Sequence, residues 1–454
     1  MNGQKLPINR SDNTRESPDT KYQLERSYYL ERETLEKRPV DESPALSDLQ
    51  HGKKARLSLP PRQESHQLKK PLEIWIKEDF LLPKIRPIPL LMHATPPDTN
   101  PELEFWNLLR NKLEEVVQVR RFNNLADAGS LVATPHLLQD YNNVRMLGSV
   151  REFNRQVLDS GRTPIIFTGA MEFTPKQGEI VFSLANYGSS EEKGISTPAW
   201  LYDLGAKISP IQKPRIPTIG FVGETQYSGR ITSISSYLPL PDFIVNVMAG
   251  SPLINTIFTL GMRGPLARRV RQKTIKEALR ARSLQTSFIQ RDGHFFIATD
   301  EKKKRARNEY IQNMQDNAYI LCVRGTENFS FRLYEVMSAG RIPVIIDTNM
   351  QLPDLGDFGK WEDFSVIVPY SQVHRIGDII QEFHDSMSDE EFTDVCRKSR
   401  AAFEYLLPHN FILNALRDKL KASNPKLAIS LDALRGKFNT SNTELATATS
   451  NAGI

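Results

Sequence analysis

The stretch Asn317–Asp347, NAYILCVRGTENFSFRLYEVMSAGRIPVIID, constrains the fold more than any other part of this chain. Tyr319 to Val323 is apolar and short enough to be a buried strand, and Ile342 to Ile346 repeats the pattern. Between them, Arg324 to Phe329 reads as a glycine-containing loop. Ser330 to Ala339 then sets Leu333, Val336 and Met337 on one helical stripe, and Gly340 supplies the left-handed residue that ends a helix. Strand, loop, helix and strand in so few residues form one βαβ unit, and its two strands must run parallel.

The same alternation extends outward. Leu72 to Ile76 and Pro89 to Met92 read as short strands, Glu102 to Val117 as a helix on the spacing of Leu103, Trp106, Leu109, Leu113 and Val116, and Val144 to Leu158 as another helix. Thr163 to Thr168 is an apolar strand ending at Gly169. Ser209 to Pro217 carries three prolines in nine residues, which blocks both helix and central strand and marks a boundary. Beyond it come a strand at Thr218 to Glu224, a basic helix at Pro265 to Arg282, a strand at Ser287 to Gln290 and a polar helix at Lys302 to Gln315. The reading is therefore two α/β domains, residues 71–210 and 215–430. Residues 1–70 and 438–454 are too polar to bury a core and are expected to be disordered tails.

Composition narrows the function classes. With 59 basic and 54 acidic residues the net charge is only +5, which argues against a chain built to neutralise nucleic-acid phosphates, and no nucleic-acid partner is expected. Two cysteines, Cys322 and Cys396, exclude a disulfide framework or a cysteine-rich zinc site, and both thiols are expected to be reduced. No run approaches the roughly 18 apolar residues of a membrane span, and the first residues show no apolar leader, so a cytoplasmic location is the expectation.

In a doubly wound sheet, ligands bind beyond the carboxyl ends of the strands, where a loop meets a helix N-terminus. The loop Arg324–Phe329 is such a place. Backbone N–H groups at Ser330 and the following residues suit a phosphate or diphosphate, and Arg324 and Arg332 add fork-shaped charged donors. Glu335, one helical turn after Arg332, is placed to accept from ribose hydroxyls. On residue types alone, ordinary helix capping and a surface Arg/Glu pair remain an alternative, with Arg332 merely orienting Glu335. No Gly-x-x-x-x-Gly-Lys-Ser/Thr loop supports a P-loop ATPase.

The string itself resembles the signature of the exostosin-like glycosyltransferases. A strand ending in Cys-x-Arg-Gly (Cys322, Arg324, Gly325) leads to Ser-x-Arg-x-x-Glu (Ser330, Arg332, Glu335) and then to Gly-x-Ile-Pro-Val-Ile (Gly340, Ile342, Pro343, Val344, Ile345). Leu352-Pro353, Trp361 to Val366, Ile219 to Gly223 and Arg307 to Ile311 are also similar to the family, and the resemblance covers about residues 215 to 410. It implies a GT-B-like α/β fold, two Rossmann-like domains facing a cleft. The C-terminal domain would hold a nucleotide-sugar, by family habit a uridine one. It further implies sugar transfer, typically with inversion, to a glycan, lipid-linked or protein acceptor.

Arg324, Gly325, Asn328, Ser330, Arg332 and Glu335 are the substrate-binding candidates. Glu335 is also a candidate base, with ribose contact favoured. No Asp-x-Asp motif is present, so no metal and no cofactor beyond the donor is expected, and arginines and a helix N-terminus would carry the diphosphate charge. Glu172, Asp203 and Asp98 are weaker base candidates. His93, His136 and His294 have no partner visible by spacing.

Helix 265–282 is read with Leu266, Val270, Ala278 and Leu279 inward and its cations mostly outward. It is a candidate for peripheral membrane contact, with Arg269 a candidate reach toward the diphosphate. The competing interpretation is a catalytically degenerate transferase that binds a nucleotide or glycan and recruits partners. Retention of Arg324, Ser330, Arg332 and Glu335 together favours catalysis.

Overall fold

The computed structural model describes residues 71–83, 85, 87–94, 104–169, 173–188, 194–200, 202–226, 263–292 and 300–423. The expected tails 1–70 and 438–454 lie outside these residues. Two parallel sheets follow one another along the chain, in the α/β arrangement the sequence predicts.

The first sheet comprises β1 (Leu72–Lys77), β2 (Val117–Phe122), β3 (Leu131–Ala133), β4 (Thr163–Phe167), β5 (Ile180–Ser183) and β6 (Ile195–Ser196), ordered β2-β1-β3-β4-β5-β6. Helices α1 (Glu104–Glu114), α2 (Leu138–Asn143) and α3 (Leu147–Asp159) connect its strands. The second sheet comprises β7 (Thr218–Gln226), β8 (Gln285–Asp292), β9 (Tyr319–Cys322), β10 (Ile342–Asp347) and β11 (Val366–Pro369), ordered β11-β10-β9-β7-β8. Its helices are α4 (Arg263–Arg280), α5 (Asp300–Asp316), α6 (Phe331–Ser338), α7 (Ile376–Asp385), α8 (Asp389–Tyr405) and α9 (Pro408–Ser423). Every strand pairing within the two sheets is parallel. The strand order of the second sheet reverses between β7 and β9, which makes the carboxyl ends of those two strands its switch point.

Both sheets belong to one compact unit, Gln67–Gly293 with Lys304–Ile454. Of the other unit, Met1–His66 with His294–Lys303, only the opening turn of α5 is described. Within the larger unit one hydrophobic cluster runs without interruption from Ile74, Ile76 and Phe182 of the first sheet to Val336, Met337 and Ile345 of the second, by way of Phe411 and Leu416 on α9. Separate clusters lie beneath α4 and α7, around Val270, Val344 and Ile380, and beneath α2 and α3, around Tyr141, Phe153 and Val157.

Local chemistry explains the end of α6. Gly340 has φ +60°, and the pair Gly340 N–H to Met337 O (2.9 Å) and Arg341 N–H to Val336 O (3.1 Å) completes a Schellman turn after α6. Gly220 of β7 is required by close approach, since a Cβ there would sit 2.5 Å from Asn313 Oδ1 on α5. Two expectations fail. Pro89–Ala94 is a 3-10 helix and not a strand, with Leu90 and Leu91 buried in the core. Leu279 is 53% exposed, since the buried stripe of α4 runs instead through Leu266, Val270, Ile275 and Ala278.

His409 on α9 is buried facing Lys112 of α1, and burial first, then the Lys112 charge, pushes its pKa down to about 3. Its stabilising contribution is therefore complete above the unfolded value near 6.5 and is lost as pH falls toward the folded value. Urea denaturation at successive pH values will show a stability slope in this window of up to about 1.4 kcal/mol per pH unit, and His409→Gln will flatten it. Identical slopes in the two proteins would refute that assignment.

Candidate functional site

The site is built at the switch point of the second sheet. Paired residues of β7 and β9 end at Gly220 and Ile320, and beyond these the strands diverge. Two arginines from different helices span the gap. Arg332 of α6 donates from Nη2 to Val222 O on β7 and from Nη1 to Leu321 O on β9 (3.4 Å), with its guanidinium 4.4 Å from the centre of the Phe221 ring. Arg271 of α4 donates from Nη1 to Glu224 O and from Nη2 to Arg324 O (3.2 Å). Each guanidinium thus joins the same two chain segments, one nearer the ladder and one farther out. Gln272 adds a third tie, to Thr225 O at 2.7 Å.

This arrangement concentrates positive charge. Burial pushes the Arg271 pKa down to about 10; the neighbouring Arg332 and Arg268 charges act the same way, and Glu224 opposes them. Arg271 therefore stays protonated at neutral pH. The Nε atoms of Arg271 and Arg332 are buried and meet no acceptor among the described residues. Arg268 is also buried, so two cations expected on the outer face of α4 point inward. They share the three- and four-residue spacing of Thr274, Ile275 and Ala278, and that spacing was the available signal. Lys276, Arg280 and Arg282 are exposed on the outside.

The predicted turn lies beside this pair. Arg324 is 1% exposed and donates to Thr326 O at 3.2 Å, while Gly325 N–H closes the turn onto Phe329 O at 3.0 Å. A Cβ at Gly325 would meet only Phe329 O at 3.9 Å, so sterics alone do not demand glycine there. Asn328 is buried and bonded twice to Thr348, donating to its carbonyl (3.3 Å) and accepting from its hydroxyl (2.6 Å). Ser330 occupies the N-cap of α6 with extended backbone, its side chain makes no capping bond, and no acidic residue follows in the first turn. The backbone end of α6 thus keeps its positive character.

Glu335 is buried between α6 and α5. It accepts from the Tyr310 hydroxyl and pairs with Arg307 at 3.3 Å, and the Arg307 guanidinium stacks 4.5 Å from the Tyr202 ring. Burial first, and the Glu335 charge second, hold the Tyr310 pKa well above its usual range. The partners of Glu335 are therefore Tyr310 and Arg307, while Arg332 lies over the Tyr310 ring at 5.8 Å. Sequence reading had noted the helix containing Arg307 and Tyr310 without assigning them a role.

Asp203, a weaker base candidate, is clamped through both oxygens by Arg400, which also donates to Ser338 O at 2.7 Å; a carboxylate so engaged is a poor base. His136 accepts from Leu82 N–H at 2.9 Å within the core. Glu172, Asp98 and His294 lie outside the described residues. Cys322 is buried, and burial raises its thiol pKa to about 12; both cysteines are free.

The loop after β10 ties this region to the first sheet. Tyr187 and Met350 form an antiparallel bridge flanked by Gly188 N–H to Asn349 O and Gln351 N–H to Asn186 O, both 3.0 Å, with Asn349 at φ 61°. Among the described residues no helix is long and apolar enough to cross a membrane.

Comparison with known proteins finds likenesses over parts of the chain. Residues 255–383 match the exostosin GT47 domain model. Over 83 residues the chain is 34% identical to a probable glycosyltransferase of Arabidopsis thaliana, a stretch covering 18% of this chain and 16% of that protein. Both matches fall on part of the chain, and it is over residues 255–383 that the chain is similar to the exostosin GT47 domain. It spans only a small part of the curated relative it matches. Among solved structures it is similar to TarM, at 12% identity and TM-score 0.26 over 58% of this chain and 50% of that one. A glycosyltransferase from Rickettsia africae ESF-5 is similar at 8% identity and TM-score 0.32, covering 81% of this chain and 100% of the other.

Proposed function

We propose that this chain is a glycosyltransferase that moves a sugar from a nucleotide-sugar to a hydroxylated acceptor. One observation carries the reading: within the stretch similar to the exostosin GT47 domain, Arg271 and Arg332 bridge the diverging strands at the switch point and set fixed positive charge beside the loop Arg324–Ser330. A departing nucleoside diphosphate needs its charge stabilised in place, and guanidinium groups held by backbone carbonyls need no reorganisation to do so.

The same observation supports a reaction without a metal ion, the role an Asp-x-Asp motif would otherwise fill. Inversion at the anomeric carbon and a uridine base follow from the family resemblance. Glu335 serves better as a positioning carboxylate than as the base, since Tyr310 and Arg307 already engage its oxygens. That engagement also favours, as a second reading, a module that binds the donor without turning it over.

Thermal unfolding with UDP, GDP, ADP and their sugar conjugates tests the reading. A stabilising ligand raises the melting temperature by mass action, and at a hundredfold excess over Kd it adds about 2.7 kcal/mol. Absence of any shift would overturn both readings. Given a shift, transfer to or hydrolysis of the bound donor in EDTA separates an enzyme without a metal from a binding module.

A further inference from the structure

Arg332 and Glu335 stand three residues apart on α6, the spacing at which an arginine and a carboxylate ordinarily pair on a helix. Here they do not pair. The Nη donors of Arg332 go to Val222 O and Leu321 O, and its Nε meets no acceptor among the described residues. The Glu335 oxygens are taken by two residues of α5: Oε2 accepts from the Tyr310 hydroxyl, and Oε1 pairs with Arg307 Nη1 at 3.3 Å.

Both members of the unmade pair are held by other groups. The Glu335 side chain is 8% exposed, so protein donors rather than water decide where its oxygens go. Tyr310 remains a neutral donor, because burial first and the Glu335 charge second hold its pKa well above the usual range. Arg307 is steadied from the connection between the sheets, where its guanidinium lies 4.5 Å from the Tyr202 ring. On the other side, the Arg332 guanidinium is within the ~6 Å reach of a cation–π contact to two rings, Phe221 at 4.4 Å and Tyr310 at 5.8 Å. Phe221 is itself edge-on to Phe288. Tyr310 thus acts on both partners, its hydroxyl engaging the carboxylate and its ring lying by the cation. A guanidinium bonded to neutral carbonyls presents more of its charge than one closed onto a carboxylate.

We infer that Tyr310 and Arg307 are positioning residues: by engaging Glu335 they keep it from closing onto Arg332, whose positive charge then remains for the diphosphate of a bound nucleotide. The role toward the nucleotide rests on the transferase reading, but the choice of partners by Glu335 does not.

The test uses the full chain with 15N in its arginine side chains. Without nucleotide, the Arg332 side-chain N–H signals, assigned by their loss in Arg332→Lys, report its partner, because a carboxylate acceptor moves an N–H proton downfield. In Tyr310→Phe/Arg307→Met these signals should move downfield, and adding Glu335→Gln should reverse the move. Affinity for UDP, measured calorimetrically, should fall by about tenfold in the double variant and recover in the triple variant to the value of Glu335→Gln alone. Tyr310→Phe by itself changes no charge and carries the same readouts should the melting curve show the double variant unfolded.

Signals that stay in place in the folded variants would overturn the inference. So would an unchanged affinity, or a loss that Glu335→Gln does not reverse, since residues that only support the fold give additive losses. A downfield move in the variants, with no binding of UDP, GDP or ADP to wild type, would keep the partner choice and overturn the transferase reading.

Discussion

Replacing Arg341 by alanine will destabilise this protein by roughly 3–5 kcal/mol. Arg341 is 1% exposed and lies immediately after the Schellman turn. Its guanidinium donates to Met314 O (2.8 Å) and Gln315 O (3.3 Å) at the end of α5, to Ala339 O (3.3 Å) at the end of α6, and to Ser209 O (2.7 Å) in the proline-rich connection. The last carbonyls of a helix have no partner within the helix, and here one cation serves two helix ends and the connection between the sheets. Alanine leaves two buried acceptors, Met314 O and Ala339 O, two part-buried ones, and a cavity. Urea unfolding should show a lower midpoint with an unchanged slope, and lysine should rescue little because it lacks the planar fork. A midpoint equal to wild type would show that water replaces the guanidinium freely.

Arg332→Lys will remove the inner bridge of the switch point and weaken binding of UDP by at least about tenfold, or 1.4 kcal/mol, if the transferase reading holds. The arginine fork reaches two carbonyls while stacking on Phe221, and a Cβ on Gly223 would come within 2.9 Å of its Nη2. An ammonium is a point charge that neither spans both strands nor stacks in the same way, although the net charge is unchanged. Charge alone is therefore separated from geometry. Calorimetric titration with UDP measures the affinity and urea unfolding measures the fold. Wild-type values of both would show that the bridge contributes nothing.

The two effects differ in kind. Arg341 holds two helix ends and the proline-rich connection, whereas Arg332 and Arg271 hold the two strand ends of the proposed donor site. The first substitution acts on stability alone. The second acts on stability and on the geometry of the donors presented to a ligand, and comparison of the two separates these contributions.

Much of the second sheet was legible because its signals are local. The run from Tyr319 to Ile346 predicted strand, helix and strand within two residues of the observed ends, since apolar runs, a helical stripe and a left-handed glycine act within a few residues of one another. Less of the first sheet could be read. Strand β2, VQVRRF, has no counterpart in the sequence reading beyond Val117, because it lies at the sheet edge and buries only its two ends and part of Val119. The turn Pro89–Ala94 has the composition of a strand, and only its place in the core makes it a helical turn.

For the site, the sequence by itself determined the residue types and their order: the strand, the loop with Arg324 and Asn328, and the helix with Arg332 and Glu335. Only the tertiary structure decided which groups meet. Arg271 reaches Glu224 and Arg324 across some 50 positions of chain, Arg332 reaches Val222 across 110, and Arg400 takes Asp203 across 197. Helical and strand periods fix which face a side chain occupies relative to its near neighbours. They carry no information about which carbonyl or carboxylate another element brings to that face, because strand order and helix packing are set by burial of the whole core.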